Sequence, residues 1–265
     1  MIQSRDNPRY KRLQRIAQGK RPVGGGEQQL WLEGIHLCQS WIERFGAPEG
    51  VVVDAEALAS DAEIQQLLAV AAQAEPVVLS SSLFKALSSV ERPQGIAFVV
   101  SPPVPTQQQH LRGDAVLLDR IQDPGNLGTM LRTAAAAGIT QIFLSKGCVG
   151  AWSQKVLRSA QGAHFHLDIH EQVDLPRLMS DASIPVYATA LHQARSLYDI
   201  EIPARAAWVF GNEGQGVDPA LLNLVAQKVF IPQSEKVESL NVAIAAGICL
   251  FEQQRQRLAL AKTTR

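Results

Sequence analysis

Val209-Phe210-Gly211-Asn212-Glu213-Gly214-Gln215-Gly216-Val217 runs an apolar strand straight into a loop of three glycines, with an amide and a carboxylate among them. The strand, residues 208–210, shows no polar/apolar alternation. A strand of that kind is buried on both faces, as in a parallel sheet covered by helices. In open parallel sheets ligands bind beyond the carboxyl ends of the strands, so the polar groups of this loop lean towards a site. The glycine spacing is G-x-x-G-x-G, not the G-x-G-x-x-G of dinucleotide binding, and no P-loop lysine follows. A plain tight loop is the alternative reading.

Outward from this stretch, strands are predicted at 115–118, 142–144, 186–190 and 229–231. A helix is predicted over 127–137, closed by Gly138, and a long helix starts near Ser239. The first hundred residues alternate on a smaller scale. Leu13, Ile16 and Ala17 share one face of a helix over 8–18, and a loop follows at Pro22 and Gly24-Gly25-Gly26. Strands are predicted at 30–32, 51–53, 77–79 and 96–100. Helices carry Leu37, Cys38, Trp41, Ile42 and Phe45, closed by Gly46, and then residues 64–74. Between the halves, Pro102-Pro103-Val104-Pro105-Thr106-Gln107-Gln108-Gln109 has no periodicity and reads as an extended linker. The expected organisation is a small α/β domain over 1–101, a linker over 102–110 and a larger parallel α/β domain over 111–265.

Composition narrows the function. The chain has 265 residues, 46% hydrophobic and 19% charged, enough for one large or two modest domains and neither disordered nor fibrous. The longest apolar run, 242–251, is short of the roughly 20 residues that span a bilayer. Met1-Ile2-Gln3-Ser4-Arg5-Asp6 lacks the apolar stretch of a secretory signal, so a soluble, cytoplasmic protein is expected. Cys38, Cys148 and Cys249 lie far apart and read as small buried residues in a reducing compartment. His164 and His166, expected on one face of a strand, and His170 lack a completing Cys, Asp or Glu cluster, so no metal is expected. The formal net charge is zero, yet residues 1–22 hold seven basic side chains against Asp6 alone. Arg5, Arg9, Lys11, Arg12 and Arg15 are therefore candidate contacts to nucleic-acid phosphates, with a solvated helix face as the alternative.

Two further strand ends carry unusual polar sequence. Asp119-Arg120-Ile121-Gln122-Asp123-Pro124-Gly125-Asn126-Leu127-Gly128 precedes a helix bearing Arg132; on its own it reads as a turn, with Asn126 capping the helix. Ile231-Pro232-Gln233-Ser234-Glu235-Lys236-Val237-Glu238-Ser239-Leu240-Asn241-Val242 precedes the long helix, and Ser239 is a candidate cap for it. A cap at Ser239 leaves Asn241 unexplained in so apolar a helix.

Taken together, Asp123-Pro124-Gly125-Asn126-x-Gly128 with Arg132, Gly211-Asn212-Glu213-Gly214-x-Gly216, and Ile231-Pro232 followed by Ser239-Leu240-Asn241-Val242 resemble the SpoU (TrmH-type) family of RNA ribose 2′-O-methyltransferases, within the SPOUT superfamily. The resemblance covers 111–265. The first domain, through Glu33-Gly34 and Leu37, is similar to the small substrate-binding domain of many members. The implied fold is α/β, with a C-terminal trefoil-knotted parallel-sheet methyltransferase domain and a smaller N-terminal α/β RNA-binding domain. The resemblance also implies a homodimer.

It further implies S-adenosylmethionine as cofactor, held mainly by backbone groups at Thr189, Ala190, Leu191, Gly211, Asn212, Gly214, Ile231, Pro232 and Leu240. Arg132 would sit at the ribose 2′-hydroxyl, with Asn126, Glu213, Ser239 and Asn241 around it as the catalytic set. Many relatives have glycine where Glu235 stands. The substrate implied is structured RNA, ribosomal RNA ahead of transfer RNA. A non-catalytic RNA-binding protein of the same fold is the second reading, and five intact polar positions speak against it. An oxidoreductase on a doubly wound sheet is disfavoured by the missing dinucleotide fingerprint.

Overall fold

The computed structural model describes residues 1–20, 27–71, 75–105 and 110–263. The predicted loop at Pro22 and Gly24-Gly25-Gly26, the last residues of the predicted helix over 64–74, and the linker residues Thr106 to Gln109 lie outside them. The chain divides into two compact units, residues 1–103 with 152–165, and residues 104–151 with 166–265. The sequence boundary assigned 152–165 to the second domain. Leu157 and Phe165 instead join the core of the first unit, where Phe165 meets Trp41 edge-on at 5.5 Å.

In the first unit, α1 (Pro8–Ala17) starts at Asn7, whose side-chain oxygen accepts from the backbone of Arg9 and Tyr10. It buries Tyr10, Leu13, Ile16 and Ala17, so its arginines and lysine are left to the outer face. There follow β1 (Leu30–Glu33), α2 (Ile35–Phe45), β2 (Gly50–Asp54), α3 (Ala55–Ser60), α4 (Ala62–Val70), β3 (Val77–Leu79), α5 (Ser81–Leu87) and β4 (Ile96–Val100). The sheet order is β1-β4-β2-β3, with β4 antiparallel to both neighbours and β2 parallel to β3. Alternate residues feed two cores. Leu32, Val53 and Phe98 face one side with α2 and α4; Trp31, Val52 and Val99 face the other with α1 and α5. Both faces are covered, which is why these strands read as continuous apolar runs. α3 was not foreseen because it buries nothing and so has no apolar periodicity.

The second unit begins with β5 (Ala115–Leu118), α6 (Pro124–Ala136) and β6 (Gln141–Ser145). After α7 (Gln154–Ala160), which belongs to the first unit, come β7 (Asp168–Val173), α8 (Leu175–Ser180), β8 (Val186–Thr189), β9 (Arg195–Ser196), β10 (Ala207–Phe210), α9 (Pro219–Leu222), β11 (Gln227–Phe230) and α10 (Val242–Thr263). Among the described residues the sheet has seven strands, order β7-β6-β5-β10-β8-β11-β9, all parallel. The central strands β5 and β10 are buried at every position.

α10 docks through a polar link inside the core. The Trp208 indole N–H donates to Gln253 at 2.7 Å, and the Gln253 amide donates to Asp114 at 3.1 Å. β7 went unpredicted because it is a polar edge strand, Asp-Ile-His-Glu-Gln-Val, with a register shift against β6 and a left-handed Gln172. The expectation that His164 and His166 share a strand face is corrected: both lie in a 3-10 turn over Ala163–His166, and His170 is on β7. Among the described residues, no helix is long and apolar enough to cross a membrane.

Candidate functional site

The carboxyl ends of β5, β10, β8 and β11 stand side by side in the sheet, so the segments that leave them share one rim. Those segments are 119–123, 211–217, 190–194 and 231–241, and they include every sequence-derived candidate of the second domain except Arg132, Asn126 and Thr189.

At the head of α6 the cap is Asp123, not Asn126. The Asp123 carboxylate accepts from the Asn126 backbone at 2.8 Å, and Pro124 fills the first helical position, where a missing N–H costs nothing. That correction frees the Asn126 side chain. Its amide nitrogen donates to Glu213 Oε1 at 3.1 Å, and its oxygen accepts from Asn241 Nδ2 at 2.9 Å. The long helix likewise begins later than expected, at Val242. Asn241, not Ser239, caps it, accepting from the backbone of Ala243 at 2.9 Å and Ile244 at 3.3 Å. Asn241 thus performs two tasks, which explains a polar residue at the mouth of an apolar helix.

Glu213 also accepts from the backbone N–H of Asp123 at 3.0 Å and of Gln122 at 3.2 Å. Burial pushes its carboxyl up, but the bonds from Asn126 and the two backbone donors more than reverse this and hold it below its ordinary range. Asn126, Glu213 and Asn241 therefore form one hydrogen-bonded chain that joins the first turn of α6, the glycine loop and the segment before α10. Arg132 and Ser239 stand outside it. Both are exposed, and neither side chain makes a hydrogen bond or ion pair to a described residue.

The glycine loop is closed on itself. Asn212 and Gly216 form an antiparallel bridge, and the Asn212 side-chain oxygen accepts from the backbone of Gly214 and Gln215, each at 3.0 Å. A Cβ on Gly211 would stand 2.1 Å from the Gly216 carbonyl carbon and the Val217 nitrogen. Of the other cofactor candidates, Thr189 ends β8, Ala190 donates to the Val229 carbonyl at 2.9 Å, and Leu191 is 61% exposed. Ile231 and Leu240 are half-buried and Pro232 is exposed.

Sequence reasoning missed Asp119 and Arg120, which tie the first loop to the glycine loop. A charged pair directly behind an all-apolar strand was the available signal. In the first unit, Arg5, Arg9, Lys11, Arg12 and Arg15 are all exposed. Lys11 pairs with Asp6 at 3.1 Å and Arg12 donates to Gln29 at 3.0 Å. An open cleft of about 840 Å³ lies against Lys11, Arg12, Arg15 and Lys20.

Comparison with known proteins places these features. Residues 114–251 match the SpoU rRNA Methylase family. The chain is 36% identical over 272 residues to an uncharacterized tRNA/rRNA methyltransferase of Synechocystis sp., covering 97% of this chain and 94% of the relative. It is 36% identical over 224 residues to the 23S rRNA (guanosine(2553)-2′-O)-methyltransferase RlmP of Bacillus subtilis, covering 83% and 86%. An AdoMet-bound rRNA methyltransferase from Sinorhizobium meliloti superposes with a TM-score of 0.80 at 25% identity, over 96% of this chain and 97% of that one.

Proposed function

Because this chain belongs to the SpoU rRNA methylase family, we propose that it transfers a methyl group from S-adenosylmethionine to a ribose 2′-hydroxyl of structured RNA, ribosomal rather than transfer RNA, in the cytoplasm. The observation that carries this reading is the chain Glu213–Asn126–Asn241, which links all three family motifs at adjoining strand ends.

The residues present fit the cofactor. The loop at 211–216 offers a backbone cradle too tight for any side chain at Gly211. Leu191 is an open apolar side chain past the end of β8, and Ile231 and Leu240, in the segment that leaves the adjoining strand β11, are half-buried. Backbone polar groups suit an amino acid and ribose, and aliphatic surface suits a purine face. Thr189, Ala190, Leu191, Gly211, Asn212, Gly214, Ile231, Pro232 and Leu240 would hold it. The family resemblance carries the expectation of a knotted path for this half of the chain, in which β10 lies between the earlier strands β5 and β8.

When bound, S-adenosylmethionine supplies a methyl group already activated by its sulfonium centre. The chain's own tasks are to align the hydroxyl and to stabilise charge as it develops on the oxygen. Arg132, exposed and unpartnered, is the group available to the RNA. A guanidinium stays protonated, so it holds the ribose-phosphate or the developing alkoxide and does not take the proton. Glu213, already accepting three hydrogen bonds and held below its ordinary range, is a weak base and serves to order the rim. The hydroxyl proton, made strongly acidic as the oxygen bonds the methyl group and the sulfonium leaves as a neutral sulfide, passes to water at the open rim. Ser239 and Asn241 complete the rim on the side of α10.

Calorimetry with S-adenosylmethionine alone tests the reading against its rival. Saturable binding to one site per chain is expected. A protein that binds RNA but no cofactor would support the non-catalytic RNA-binding reading.

The basic face of α1 supports RNA-backbone contact by the first unit. Deleting residues 1–22 would be a poor test, because Tyr10, Leu13, Ile16 and Ala17 belong to the core. The variant Arg5→Gln/Arg9→Gln/Arg12→Gln changes exposed groups only. Loss of three phosphate contacts should reduce the slope of log affinity against log salt by about 2, at roughly 0.7 per contact. An unchanged slope would discard α1 as an RNA contact.

A homodimer is supported by α10, which leaves Ile244, Phe251 and Leu258 exposed at seven-residue intervals, one stripe along the helix. Phe251→Asp should sediment as a monomer where the wild type sediments as a dimer. A variant that keeps the wild-type mass would remove the stripe from the interface.

A further inference from the structure

Arg120, the second residue past β5, has a left-handed backbone, φ 54°. Glycine adopts that conformation freely, whereas a residue with a Cβ does so only where its surroundings enforce it. Here the surroundings engage the residue at both ends. Its N–H donates to Ser145 Oγ at 2.9 Å, and its carbonyl accepts from Asn212 Nδ2 at 2.9 Å. Its guanidinium grips the Asp119 carboxylate with two bonds, Nε to Oδ1 at 3.1 Å and Nη2 to Oδ2 at 3.0 Å. Nη1 donates to Gln215 Oε1 at 3.1 Å, and Nη2 reaches the Gly216 carbonyl at 3.5 Å and lies 3.8 Å from Asp218 Oδ2.

Asp119 is the anchor beneath. It is 4% exposed, and it also accepts from the Asp218 backbone at 3.0 Å and from Ser145 Oγ at 3.3 Å. One residue thereby fastens both ends of the glycine loop, Asn212 through its carbonyl and Gln215–Gly216 through its side chain. Glu213 lies between those ends and receives the backbone of Gln122 and Asp123.

We infer that Arg120 is a positioning residue: it fixes the cradle at 211–217 in register with the 119–123 loop, ahead of ligand binding. The inference rests on the methyl-transfer reading above. The planar fork is what the task requires, since it addresses a carboxylate and a second acceptor together, and a lysine ammonium does not.

Arg120→Gly accepts the left-handed backbone and removes only the side chain; Arg120→Lys keeps the charge. In the protein alone, amide hydrogen exchange over 211–217 should quicken by about 10-fold or more in Arg120→Gly, with β5 and β10 unchanged. The KM for S-adenosylmethionine should rise about 10-fold in Arg120→Gly and by less in Arg120→Lys, with the KM for RNA within about 2-fold of wild type. Wild-type exchange over 211–217 in both variants would overturn the inference. So would a loss spread equally over both substrates that tracks a fall in Tm, since that marks a merely structural side chain. A wild-type protein that transfers no methyl group would sink the functional reading, while the exchange data still decide the role of Arg120.

Discussion

Arg132→Ala is expected to lower methyl transfer by about 10²–10³-fold or more, while the Tm and the affinity for S-adenosylmethionine stay at wild-type values. The first half of that expectation follows from the role proposed for the guanidinium at the ribose oxygen. The second follows from where the side chain sits. α6 is held by Leu127, Met130, Leu131 and Ala134, all buried, and Arg132 is on its exposed side with no described partner. Alanine is the better helix former, so the substitution should cost less than about 0.5 kcal/mol. Arg132→Lys should recover only part of the rate, because it restores charge without the fork. Full activity in Arg132→Ala would move the chemistry elsewhere on the rim.

Gly211→Ala is expected to have the opposite profile, with the fold itself weakened. The new Cβ would meet the Gly216 carbonyl carbon and the Val217 nitrogen at 2.1 Å and the Gly216 oxygen at 2.3 Å. All three are backbone atoms, so nothing flexible can yield. Relief requires opening the Asn212–Gly216 bridge and its 2.8 Å bond from the Gly216 N–H to the Asn212 carbonyl. Overpacking of this kind costs about 1–3 kcal/mol or more, and the opened loop no longer cradles a ligand. Chemical denaturation should show the loss, and calorimetry should show no cofactor binding. Gly214→Ala is the stability control. Its Cβ would meet only the Asn212 side-chain oxygen at 3.8 Å, an ordinary contact. Equal stability of the two variants would contradict the closed geometry of the loop.

Strands such as Ala115–Leu118 and Ile96–Val100 were legible in the sequence because every residue in them is buried, so the apolar run and the strand coincide. β7 was not, because an edge strand with polar residues lacks both a run and an alternation. Capping was misassigned twice for one physical reason. Asp123 and Asn126 are both good capping residues three positions apart, as Ser239 and Asn241 are two apart. Only tertiary contacts decide which member bonds the helix and which reaches across. Asn126 reaches Glu213, 87 residues away, and Asn241 reaches Asn126, 115 residues away. The order of the three motifs makes the catalytic loops recognisable, whereas the clamp at Asp119 and Arg120 shows locally only as a charged pair behind an apolar strand, and its partner Gln215 lies 95 residues away. The grouping of 152–165 with the first unit was hidden for the same reason: Phe165 finds its aromatic partners Trp41 and Phe45 only in the folded chain.

Ribose methylation leaves a chemical trace that separates it from methylation of a base. The purified protein would be incubated with methyl-labelled S-adenosylmethionine and undermodified total RNA, and the product digested with alkali. A 2′-O-methyl group removes the nucleophile that alkaline cleavage needs, so the account expects label in an alkali-resistant dinucleotide derived from ribosomal RNA. Label recovered in ordinary mononucleotides would contradict it, placing the methyl group on a base and removing the ribose oxygen from the reaction.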